Sequence, residues 1–175
     1  LACKELYEIL KTLNPNQKLI GSLKYLTSNV NLFKYAHKNG CPWQARTIHK
    51  IINSNVTSNA RLECLKYAHE NGCPWSEYTS QCAAEKGQLE CLKYAHKKGC
   101  TWDEWTCVYA ASSGNLDCLK YAHENGCPSD IWMCNHATRS GNLECLKYAH
   151  EIGHPWCSNT CSEAAGNGYL DCLKY

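Results

Sequence analysis

The sequence predicts an all-α solenoid of stacked helix-turn-helix repeats, and three observations carry that prediction. From residue 65 onward the tripeptide Leu-Lys-Tyr recurs at steps of 27 residues, at 65–67, 92–94, 119–121, 146–148 and 173–175. A fixed step of that kind marks a repeat array, in which each unit buries its apolar face against its neighbours. Around each copy the apolar residues fall three and four apart, the period of a helix. Glycines such as Gly99, Gly114 and Gly126 punctuate these runs, and Pro128 follows the last of them, as expected where short helices are stopped.

Each unit reads as two helices. In 103–129, Thr101 or Asp103 is placed to cap the first helix, and Asp103 and Glu104 suit its positive end. This inner helix runs through Trp105–Ala111 and stops near Gly114. The outer helix extends from about Asn115 to Asn125, with Leu116, Leu119, Ala122 and His123 on one stripe and Cys118 widening it. Neither helix is long enough to be stable alone, so stacking must supply the stability. The units are expected at 76–102, 103–129, 130–156 and 157–175, the last of them truncated. Residues 44–75 form a unit lengthened by the polar stretch 52–59, which reads as a longer loop or an extended helix end. Residues 1–43 hold a divergent cap (1–29) and a first degenerate repeat around Phe33-Lys34-Tyr35. Both ends of the sequence read as cuts: the chain opens at Leu1 rather than a methionine and stops at Tyr175 in the middle of a recurring unit.

Composition narrows the function classes. With 44% hydrophobic and 19% charged residues the chain can fold. A net charge of +2 lacks the basic excess of a nucleic-acid binder. No apolar run approaches the roughly 18 residues that span a bilayer, and no signal-peptide pattern opens the chain. The partner expected is therefore neither nucleic acid nor membrane.

The run Ala110-Ala111-Ser112-Ser113-Gly114-Asn115-Leu116-Asp117-Cys118-Leu119-Lys120-Tyr121, closing at Asn125-Gly126-Cys127, resembles the ankyrin repeat. That family's pattern places two alanines before a Gly, then Leu with an acid, two aliphatics, Lys and a closing glycine. The resemblance covers the four units from 76 onward well, 44–75 acceptably and 1–43 poorly. It implies a non-enzymatic protein-interaction scaffold. Two departures stand out. The unit is shorter than the family's, at about 33 residues, and what is missing is the stretch forming its β-hairpin fingers. Trp105-Thr106-Cys107-Val108 also replaces the family's Thr-Pro-Leu-His start. In its short, cysteine- and tryptophan-rich units the chain looks like the ankyrin-type proteins of giant DNA viruses.

Several columns invite a chemical role and are better read as structure. Cys91, His96 and Cys100, with counterparts in other units, have zinc-like residue types. Cys91 and His96, however, lie about 140° apart around a helix and do not converge on one ion. No metal and no cofactor are expected. Of fifteen cysteines, members of one column such as Cys91 and Cys118 would sit about 8–10 Å apart, beyond the reach of a disulfide. Free thiols point to an intracellular reducing compartment, the host cytoplasm or a virion-associated state if the viral resemblance holds. The histidines at 37, 69, 96, 123 and 150 occupy a core position of the resembling family and are expected inward and buried. The lysines at 66, 93, 120, 147 and 174 each follow an acid by three residues and read as a solvated, ion-paired face. No nucleophile–base set or phosphate-binding glycine loop is present, so no catalytic residue is expected.

What remains is contrast within the units. The outer helices are near copies, whereas the inner helices diverge at Tyr78, Trp105 and Trp132, at Tyr109 and His136, and at Arg139. Aromatic residues and arginine suit interface anchors, and variable positions can specify one alignment where copied ones cannot. These six are the expected partner-binding residues, on the concave side of the stack. The competing expectations are a building block that self-associates into a larger assembly, and a redox or metal-buffering role for the cysteines.

Overall fold

The computed structural model describes residues 30–38, 40, 42–43 and 46–175, and all regular structure among them is α-helical. The cap expected over 1–29 lies outside the described residues. The chain divides into two compact units, one up to Pro74 and one from Trp75 to Tyr175.

In the first unit, α1 (Val30–Lys38) and α2 (Thr47–Ile52) both pack on α3 (Ser58–Glu70). Phe33, Ile48, Ile51, Ile52, Cys64, Leu65 and Ala68 form its core. The polar insertion resolves into both expected forms. Residues 53–57 make a loop, and α3 begins a turn earlier than later outer helices, with Thr57 Oγ1 accepting from the Ala60 amide at 3.3 Å. Buried Arg61 holds that loop in place, donating through Nη2 to the carbonyls of Ser54 at 2.7 Å and Val56 at 2.9 Å.

The second unit is four helix pairs. Inner helices α4 (Glu77–Glu85), α6 (Glu104–Ser112), α8 (Met133–Arg139) and α10 (Ser158–Asn167) alternate with outer helices α5 (Leu89–Lys97), α7 (Leu116–Glu124), α9 (Leu143–Glu151) and α11 (Leu170–Lys174). Successive inner helices pack closely, and the outer row packs more loosely. Small residues permit the close row: Ala83, Ala84, Ala110, Ala111, Ala137 and Ala164 are all essentially buried. The outer helices contribute Leu92, Leu119 and Leu146 with Cys91, Cys118 and Cys145, each buried between the rows. No strand occupies the links such as 98–103, so the chain passes straight from one pair to the next.

One device clamps consecutive pairs. Gly114 ends α6 at φ +73°, a conformation that disfavours any side chain. A Cβ there would lie 2.5 Å from Asn142 Oδ1. The close approach lets Asn142 Nδ2 donate to the carbonyls of Ala111 at 3.2 Å and Ser112 at 3.0 Å, the orphan end of α6. Asn115 does the same one pair earlier, to Ala84 and Glu85 at 2.9 and 2.8 Å. In the last pair Tyr169 takes this place and its ring packs where Gly141 leaves room.

Candidate protein-binding face

The inner helices meet two demands at once. Their alanine side faces the neighbouring helix, which leaves the opposite side of each first turn to solvent. Tyr78 is 67% exposed, Trp105 46%, Trp132 44% and Tyr109 37%. Trp105 and Tyr109 stand one turn apart on α6, with ring centroids 6.0 Å apart. Arg139 is exposed in the last turn of α8, two turns from Trp132. His136 is half-buried, its Nε2 3.6 Å from Asp130 Oδ2.

Sequence reading missed Ile131, which is 64% exposed beside Trp132. The reason is local. Asp130 Oδ1 accepts from the Trp132 amide at 3.0 Å, which holds 130–132 as a turn and delays α8 to Met133. Trp132 therefore precedes its helix, whereas Tyr78 and Trp105 lie inside theirs. Ile131, Trp132, Asn135, Pro155, Cys157 and Thr160 line a shallow cleft of about 110 Å³.

Two expectations about other columns are corrected. Asp103 sits at the start of α6 without capping it through its side chain; its carboxylate instead accepts from Gln81 Nε2 of the previous inner helix at 3.0 and 2.9 Å. The histidines are not inward. His37, His69, His96 and His123 are half-buried and His150 is exposed. Within each unit they share hydrogen bonds between Nδ1 and the tyrosine hydroxyl of the next repeat: His37–Tyr67 at 3.1 Å, His96–Tyr121 at 2.9 Å, His123–Tyr148 at 3.1 Å and His150–Tyr175 at 3.1 Å. Trp43 stacks on His37 and Trp102 on His96, both with centroids 3.9 Å apart, and Trp156 meets His150 edge-on. The copied His and Tyr of the outer helices thus form a recurring joint between repeats. Lys93 and Lys147 make the expected pairs with Glu90 and Glu144 at 3.1 and 2.9 Å, while Lys120 lies over the Tyr148 ring at 5.6 Å.

The thirteen described cysteines are unbridged, and all except Cys157 and Cys161 are buried. Burial pushes the thiol of Cys118 up to about 12 and those of Cys64, Cys73, Cys134 and Cys145 to about 11. Such groups stay protonated and behave as small hydrophobes. Cys91 is in the core, His96 faces Tyr121, and Cys100 donates to the Ser76 carbonyl at 3.3 Å. Among the described residues no group of three His, Cys, Asp or Glu side chains is gathered to hold a metal ion, and no helix is long and apolar enough to cross a membrane.

Paired helices of near-constant step, joined by asparagine clamps and leaving one row of aromatic side chains in solvent, define a helical repeat protein. A family model described as ankyrin repeats (many copies) matches residues 107–150, from Cys107 in α6 to His150 in α9. Over this stretch the chain is ankyrin-like. No curated protein matches the sequence significantly.

Proposed function

We propose that this protein is a non-enzymatic scaffold that binds another protein through the inner-helix face of its second unit. The observation that carries this reading is the exposure of Tyr78, Trp105 and Tyr109 on successive inner helices and of Trp132 at the entry of the next, where the repeats differ most in sequence. Ankyrin repeats commonly serve protein–protein interaction, and the match over 107–150 supports extending that role here. The closer packing of the inner row supports a stack that curves toward it, with the aromatic residues on the concave side. Unbridged thiols support a reducing, intracellular setting.

The test is a separation of binding from stability. A partner is identified by crosslinking and mass spectrometry from the native source. Trp105→Ala and Trp132→Ala should each weaken its binding by about 1 kcal/mol or more while leaving the melting temperature nearly unchanged, as for solvent-exposed interface anchors. Loss of stability with retained affinity would make both tryptophans packing residues and remove the face from consideration.

A further inference from the structure

Charge is distributed unevenly in the second unit. The inner helices and their lead-ins carry six acids, Glu77, Glu85, Asp103, Glu104, Asp130 and Glu163, against two bases, Lys86 and Arg139. Lys86 is held by Glu85 at 2.8 Å. On the outer helices and their ends, six acids meet six lysines. The negative excess of the unit thus lies wholly on the row that exposes its aromatic rings. Three of the exposed rings also have an acid close to them in sequence: Glu77 before Tyr78, Glu104 before Trp105, and Asp130 two residues before Trp132, whose amide donates to its carboxylate. These pairs stand at the entries of α4, α6 and α8, three helices packed side by side.

An exposed ring attracts a cation to its face, most strongly for Trp, and a guanidinium also stacks on it. A nearby carboxylate strengthens the attraction and repels anionic ligands. Packed helices are separated by about 8–10 Å. A polyproline-type segment returns to the same side every third residue, an advance of about 9 Å. The two spacings match.

We infer that this face takes an extended cationic peptide segment with a basic side chain at every third position, which would set its charges over Tyr78, Trp105 and Trp132 in turn. The inference rests on the protein-binding reading above and specifies its partner. Nucleic acid and other polyanions are disfavoured by the same carboxylates.

Fluorescence anisotropy on the full chain provides the test, with three labelled probes: (Arg-Pro-Ser)4, an isomer whose four arginines are contiguous, and (Glu-Pro-Ser)4. The in-phase probe should bind at least fivefold tighter than the clustered isomer, and the acidic probe should not bind. The double substitution E77Q/E104Q should weaken the in-phase probe at least fivefold and flatten its salt dependence. Reversing outer-helix charges with K93E/K120E makes the protein more acidic elsewhere and should change this affinity less than twofold. Equal affinity for the two arginine probes, or a tightening in K93E/K120E as large as the loss in E77Q/E104Q, would reduce the effect to diffuse electrostatics and overturn the inference. A native partner whose binding depends on Trp105 and Trp132 but is untouched by E77Q/E104Q would remove the cationic segment and leave the protein-binding face standing. Tryptophan variants that lose only stability would remove both.

Discussion

His154 stands where the two preceding units have Cys100 and Cys127, and the exchange gives this one residue a titratable consequence. It is half-buried, and its carbonyl accepts from Cys134 Sγ at 3.4 Å. Burial is the main cause that lowers its pKa from 6.5; nearby His123 adds to the shift, and Asp130 opposes it. With the folded value below the unfolded one, the unfolded chain takes up the proton first as pH falls. Stability contributed here is complete above about 6.5 and declines as pH drops from there through the folded value. Melting curves between neutral and mildly acidic pH should therefore fall in the native protein. In His154→Cys, which restores the residue of the earlier units, the fall should be shallower; an identical slope would place the pH response elsewhere. The histidines of the outer-helix column turn instead toward tyrosine hydroxyls at the repeat joints.

Helix α10 shows how the same column changes character between elements. Cys107 and Cys134 are fully buried at the inner-row joints, whereas Cys161, their counterpart in α10, is exposed. Four residues before it, Cys157 is half-buried, and a hydrogen bond with Thr160 lowers its thiol pKa. Thiolate is the reacting form. Maleimide applied to the native protein should thus label Cys157 and Cys161 ahead of the eleven buried cysteines, which should react only after denaturation. Peptide mapping that finds Cys118 or Cys145 among the first sites would mean that the row between inner and outer helices opens readily. Element boundaries were largely legible beforehand: α6 and α7 occupy Glu104–Ser112 and Leu116–Glu124, close to the stretches marked by Trp105–Ala111 and by Asn115 and Asn125. The late start of α8 was not, since it depends on which backbone amide the Asp130 carboxylate meets.

At the scale of the whole molecule, stability in an array is approximately a sum of unit and neighbour terms. Asn115 and Asn142 serve different joints and share no bonding partner. Replacing either with Ala removes the side-chain donor from the Glu85 or Ser112 carbonyl, while Ala84 and Ala111 keep the Gly87 and Gly114 amides, and should cost roughly 1–3 kcal/mol. The double variant should equal the sum of the two within about 0.5 kcal/mol. A large departure in chemical denaturation would show that the joints act cooperatively. The sequence by itself determined the helical repeat, its step and its stops, because periodicity and glycine placement are local properties of the chain. It also marked six candidate binding positions, since divergence among copied units is visible without coordinates. Only the tertiary structure decided where the copied side chains point. Whether a histidine enters the core or reaches a tyrosine 25 residues later, whether Asp103 caps its own helix or receives Gln81, and which aromatic rings remain in water all depend on how one helix pair is set against the next. Those are distances between segments remote in sequence, and no periodicity encodes them.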